Sequence, residues 1–131
     1  MVTKNKLILR RFFEELFNQG DLAAVEEIIS VSYCNHNVMP GETPDRTGLK
    51  QWVTQMRAAV RDLYLTIEDQ IAEDDKVVTR WTATGIHQSE FAGLPPTDKP
   101  IAITAIHIHR VAEGQIQEGW LTWAVVDMLP G

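Results

Sequence analysis

The stretch from Ile101 to Asp127 limits most what this chain can become. It divides into two runs, Ile101–Val111 and Gln115–Val126, either side of Ala112-Glu113-Gly114. Both runs are rich in Ile, Val, Thr and Trp, which favour a pleated sheet. Gly114 can take the positive φ that a tight turn needs. Side chains alternate across a strand. One face of the first run therefore carries Ile101, Ile103, Ala105, His107 and His109, and one face of the second carries Glu118, Trp120, Thr122 and Ala124. If those faces coincide, they form a curved, apolar, aromatic surface set with titratable groups. That is the chemical profile of a small-molecule pocket.

The remainder must cover that hairpin, and 131 residues suffice for one domain, 1–131, with a real core. Lys and Arg number 12 against 18 Asp and Glu, a net charge of -6, and no basic run or helix face stands out. Nucleic acid and anionic membranes are therefore not expected partners. Cys34 is the sole cysteine, so no intrachain disulfide forms, which agrees with a reducing cytoplasm. Arg10, Arg11, Glu14 and Glu15 interrupt the one N-terminal run that resembles a signal core. No apolar run approaches the ~20 residues of a membrane-spanning helix. The expected location is the cytoplasm.

Ahead of the hairpin, Leu9, Phe12, Phe13, Leu16 and Phe17 recur at helical spacing and predict a helix from about Lys4 to Asn18, with Thr3 as its N-cap. Gly20 suits its C-terminal end, and Asp21 caps a short second helix from Leu22 to about Ser30. Tyr33-Cys34-Asn35-His36-Asn37 reads as a short extended piece. Pro40, Gly41, Pro44 and Asp45 mark a loop that could rim a cavity. A third helix begins near Gly48 with Thr47 as cap, and carries Leu49, Trp52, Val53, Met56 and Val60 on one face. From Leu63 the pattern is strand-like, with a turn at Glu73-Asp74-Asp75, and Lys76 to His87 forms the next strand. Ser89 to Pro100, with its Gly and Pro residues, is a loop long enough to cover something. Helices first and hairpin-joined strands afterwards imply an α+β fold with a mainly antiparallel sheet.

Several segments resemble the SnoaL-like polyketide cyclases. They are Ile67-Glu68-Asp69-Gln70-Ile71-Ala72-Glu73, Lys76-Val77-Val78, Arg80-Trp81-Thr82, Gly85-Ile86-His87, Glu90-Phe91 and Gly93-Leu94-Pro95-Pro96-Thr97. Tyr33-Cys34-Asn35-His36 resembles the family's Tyr-Val-Asn-His segment, and Ile106-His107-Ile108, Arg110, Gly114, Ile116, Glu118 and Trp120 continue the likeness in order. The resemblance implies a cone-shaped α+β barrel, three N-terminal helices on a strongly curved sheet, and a homodimer or larger homo-oligomer. It also implies intramolecular aldol ring closure of a polyketide-like ligand, without metal or organic cofactor. In that family an acidic residue four positions after the last-strand Trp acts as general base. Here that position is Ala124. Asp127 is the nearby carboxylate. It lies an odd number of residues from Trp120, so an unbroken strand points it to the other face and a bulge would bring it back.

Ring closure needs a base to take a proton next to a carbonyl and a donor for the enolate oxygen. His107, mid-strand and matching the family's pocket histidine, is the first candidate base, against the alternative of a satisfied core histidine. His36 and Asn35 are candidates to hold the enolate, against local capping of the backbone. Asp127 is a relocated base if the bulge exists. Tyr33, Trp81, Trp120 and Trp123 are candidate walls of a dry pocket. His87 and Glu118 join the candidate binding residues, although His87 also reads as structural and Glu118 as a solvated carboxylate. His107 and His109 share a face, as some metal sites require, but no further ligand is evident and no metal is expected. The expected function is therefore a cofactor-independent cyclase or isomerase. The alternatives are a non-catalytic binder of a small apolar ligand, or an epoxide hydrolase or epoxide-opening cyclase.

Overall fold

A computed structural model describes residues 2–91 and 93–127, except for the side chains of residues 126 and 127. The chain opens with helix α1, Val2–Arg11, which continues without a break into a wider π-helical turn, Phe12–Asn18. The turn shows the i→i−5 bond from Gln19 N–H to the Glu14 carbonyl, 2.9 Å. Leu9, Phe12, Phe13, Leu16 and Phe17 are all buried, so the expected stripe is the helix's core face. The expected cap at Thr3 lies inside the helix instead. Gly20, at φ 71°, turns the chain. Asp21 then accepts from Ala23 N–H ahead of a short 3-10 turn and α2, Val25–Ile28.

Strand β1, Ile29–Asn35, begins at once, earlier and longer than the extended piece expected from Tyr33. Helix α3, Arg46–Ala59, is capped by Asp45, whose carboxylate accepts from Gly48 N–H at 3.1 Å, rather than by Thr47. Four long strands follow: β2, Val60–Glu73; β3, Lys76–His87; β4, Pro100–Ala112; and β5, Gln115–Asp127. The sheet order is β1-β5-β4-β3-β2, antiparallel throughout except for the parallel pairing of β1 with β5. The fold is the expected α+β cone: three helices pack on a strongly curved sheet and supply the apolar filling of its concave face.

The curvature has local causes. Register shifts fall at Arg61/Tyr64 and Ile67/Asp69 in β2, where Asp62 adopts φ 58°. Two more fall between β4 and β5. Each inserts a residue, bends its strand and increases the twist.

The last hairpin corrects the expected faces. The two-residue turn has positive φ at Glu113 and Gly114. Unbroken pairing from Ala112↔Gln115 and Val111↔Ile116 would set Glu118 and Trp120 opposite His109 and His107. The next observed pair is Arg110↔Glu118, which leaves Gln117 as the extra residue of a bulge. The side chains from Glu118 to Val125 change face as a result. Gly119, Leu121, Trp123 and Val125 therefore stand opposite His109, His107, Ala105 and Ile103 on the concave side. Glu118, Trp120, Thr122 and Ala124 stand opposite Arg110, Ile108, Ile106 and Thr104 on the convex side.

Candidate active site

The open end of the cone holds a cavity of about 840 Å³. Its aromatic wall comes from α3, β3 and β5: Trp52, Trp81 and Trp123, joined by Phe91 from the loop after β3. Ile103, Leu121 and Met56 add aliphatic surface. The polar lining comes from the end of β1, from the loops after β1 and after β3, and from α3. It comprises Asn35, Asn37, Glu42, Gln55, Ser89 and Glu90. An apolar chamber with a few convergent polar groups is the usual form of a small-molecule site.

Of the expected site residues, Asn35, Trp81 and Trp123 line this cavity. His107 does not; it stands behind it. Its ring is buried among Phe12, Phe13, Trp52 and His109, and the Trp81 indole N–H donates to its Nδ1 at 3.5 Å. An indole N–H only donates, so Nδ1 is the acceptor and the proton of neutral His107 sits on Nε2. Burial first, then the neighbouring His109, holds the His107 pKa well below the usual histidine range. Burial pushes His109 down to about 3. The two rings lie 3.9 Å apart. Both His109 nitrogens and the Thr79 hydroxyl are sealed from solvent with no partner among the described residues. His107 and His109 thus form a neutral polar pocket in the core, whereas the sequence offered His107 first as a base.

Gly119 makes that arrangement possible. A Cβ there would come within 2.9 Å of His109 Cδ2, closer than side chains pack. Among the described residues, no group of three or more His, Cys, Asp or Glu converges as metal ligands do.

The other expected residues are also placed elsewhere. Tyr33 is buried in the core, where desolvation raises its phenol pKa. His87 is 1% exposed at the end of β3, and neither ring nitrogen has a partner among the described residues. Its backbone is held by the covering loop, through Lys99 O, Thr97 N–H and Asp98 N–H. His36, Glu118 and Trp120 meet on the convex side. His36 Nε2 is 2.8 Å from Glu118 Oε1, and its ring stacks on Trp120 at 4.7 Å and 7°. The other Glu118 oxygen accepts from Arg110 Nε. The hydrogen bonds from Arg110 and then from His36 hold the Glu118 pKa below the usual carboxylate range.

Ala124, the position of the family acid, also faces out, opposite Thr104. Asp127 pairs through its backbone with Ala102 across the second bulge, and the direction of its side chain lies outside the described residues.

Sequence reasoning missed Asn37, Glu42, Gln55, Glu90 and Phe91, and for Trp52 and Met56 helical spacing favoured the core over ligand contact. The loops were legible as rim and cover. No periodicity operates inside them to say which side chains turn inward. Glu42 and Glu90 are the titratable residues that line the cavity among those described. One Glu42 oxygen already accepts from Met39 N–H at 3.0 Å.

The SnoaL-like polyketide cyclase family matches residues 7–130, and the chain belongs to that family. IdmH from Streptomyces antibioticus, a candidate polyketide cyclase, is 31% identical with a TM-score of 0.76; the match covers 91% of each chain. A candidate polyketide cyclase from Acidithiobacillus ferrooxidans is 27% identical with a TM-score of 0.77, over 92% of this chain and 87% of that one. TsrD from Streptomyces laurentii shares the fold at a TM-score of 0.83 and 22% identity, over 92% of this chain and 88% of that one. Among curated proteins, none matches this chain in sequence.

Proposed function

We propose that this protein removes a proton next to a carbonyl in a small, largely apolar, polyketide-like molecule and promotes aldol-type ring closure or isomerisation. The observation that carries this reading is the cavity itself. Trp52, Trp81, Phe91 and Trp123 form a wall suited to a flat conjugated ligand, and amide groups and carboxylates both belong to the cavity lining. Asn35 donates through its amide to the developing enolate oxygen. Glu90 is the base, because it lines the cavity and no hydrogen bond to the described protein occupies its carboxylate. The reaction uses no metal or organic cofactor, because a carboxylate, an amide donor and a dry wall meet its chemical needs. His107 supports the wall from behind by fixing the Trp81 indole.

The protein acts as a cytoplasmic homodimer in this reading. On the convex sheet face, Ile71, Val78, Ile108 and Trp120 form one continuous row across four strands, beside Ile106, which is 52% exposed. A face of that kind is suited to pack against a second copy.

Titration with 2-acetylnaphthalene, followed by tryptophan fluorescence, tests the cavity. Saturable quenching is expected, weakened by Asn35→Ala and unchanged by Glu90→Gln. Saturable binding with no proton removal from the bound ketone would favour a non-catalytic binder. Absence of saturable quenching would contradict the reading altogether.

A further inference from the structure

The cluster on the convex face is tied to the cavity by a three-residue segment. Asn35 and Asn37 line the cavity, whereas His36 between them turns to the outside, onto Trp120 and Glu118. His36 N–H also donates to Gly119 O at 3.0 Å, which fastens the segment to β5. Asn35 Oδ1 accepts from Asn37 N–H at 2.9 Å, and Asn37 Oδ1 accepts from Leu121 N–H at 2.7 Å. A backbone N–H only donates, so both amide oxygens are committed to the protein. Each side chain keeps its NH₂ end, and neither Nδ2 has a protein partner among the described residues. Asn35 is half-buried and Asn37 exposed, so water can reach both donors, and at the rim of an apolar cavity the pair is free to exchange that water for an acceptor on a ligand.

We propose that Arg110, Glu118 and His36, stacked on Trp120, form a positioning device outside the cavity, and that the segment they hold presents a paired amide donor, Asn35 and Asn37, to a carbonyl or enolate oxygen. The chain of contacts is continuous. Arg110 fixes the Glu118 carboxylate, Glu118 holds His36 by its ring nitrogen, and the Trp120 face sets the plane of that ring. The amides on either side of His36 inherit that placement. Asn37 is thereby a specificity-determining residue, and Glu118 acts through others rather than on a ligand. The ligand half of this proposal rests on the cavity reading above; the positioning half does not.

The test uses the full chain and two probes of nearly the same shape, 2-acetylnaphthalene with its carbonyl and 2-ethylnaphthalene without. Removing one hydrogen bond to the ligand weakens binding by about three- to tenfold. Asn37→Ala, His36→Ala and Glu118→Ala are expected to cost that much for the acetyl probe and to leave the ethyl probe within about twofold. His36→Gln, which can still donate to Glu118, is expected to restore most of the loss.

In the ligand-free protein, amide exchange at Leu121 is read against Thr82 on β3. His36→Ala and Glu118→Ala are expected to speed Leu121 alone, by about tenfold. An unchanged Leu121 rate in both variants overturns the positioning device. Equal acceleration at Leu121 and Thr82 in both also overturns it, because the three residues would then stabilise the fold generally. Equal loss for both probes overturns the paired donor. If the wild type binds neither probe, the cavity reading and the paired donor fall together, while the exchange rates still decide the positioning device.

Discussion

Trp81 stands between His107 and the cavity. Its indole N–H points back at His107 Nδ1, 3.5 Å away, while the residue itself forms part of the cavity wall. The histidine that the sequence marks as a base is thus on the dry side of the wall that a ligand would touch. Its role is to hold an aromatic surface still, and a neutral imidazole serves that role.

Acid should therefore destabilise the fold through the histidine pair. Both pKa values lie below the unfolded value of about 6.5, His109 at about 3, and burial is the leading cause for each. The unfolded chain binds more protons than the folded one in that window, so stability rises with pH across it. The contribution is complete above about pH 6.5 and is lost progressively as pH falls toward the folded-state values. Denaturant unfolding between pH 7 and pH 4 should show uptake of about one proton per histidine. The variant His107→Phe should flatten the slope by about one proton. A slope unaltered by that substitution would mean the ring is charged in the folded protein.

The contact between Gly119 and His109 gives a second test. A methyl group at 119 would lie 2.9 Å from His109 Cδ2 and 3.2 Å from Nε2. Overpacking of this kind costs about 1–3 kcal/mol. Gly119→Ala should lower the midpoint of thermal unfolding. The double variant Gly119→Ala/His109→Ala should show coupling that recovers part of the loss. Strict additivity of the two losses would contradict the contact.

The convex face predicts an assembly state. Ile71 and Ile106 are 67% and 52% exposed, and the row from Ile71 to Trp120 carries no charge. Light scattering at micromolar concentration should give the mass of a dimer. Ile106→Lys should shift it toward the monomer without changing the far-ultraviolet circular dichroism. A wild-type monomer at that concentration would remove the proposed role of this face.

Most of the fold was legible because its signals are periodic. The Leu9–Phe17 stripe, the α3 pattern and the alternation of β3 and β4 each repeat over several turns or residue pairs. The site was less legible because it depends on parity and loops. One extra residue at Gln117 moved Glu118 and Trp120 to the convex face and brought Gly119 and Leu121 inward. Alternation cannot register such an insertion, since nothing about Gln117 as a residue type announces a bulge. Asn37 and Glu90 escaped for a different reason. They lie in segments whose backbone is set by single contacts, such as Asn37 Oδ1 with Leu121 N–H, which leave no pattern in the chain. A mid-strand histidine such as His107 has the chemistry of a base, but burial makes a core imidazole a poor one, and burial is not written in the residue type.

The central claim is proton removal at the cavity, by a carboxylate rather than by the core histidines. The most direct measurement is deuterium uptake into the methyl group of 2-acetylnaphthalene in D₂O, followed by nuclear magnetic resonance. Uptake above the buffer rate is expected with the wild type, with loss of the excess in Glu90→Gln and retention of most of it in His107→Phe. Uptake that survives Glu90→Gln and vanishes with His107→Phe, or a bound ketone that takes up no deuterium at all, would contradict the claim.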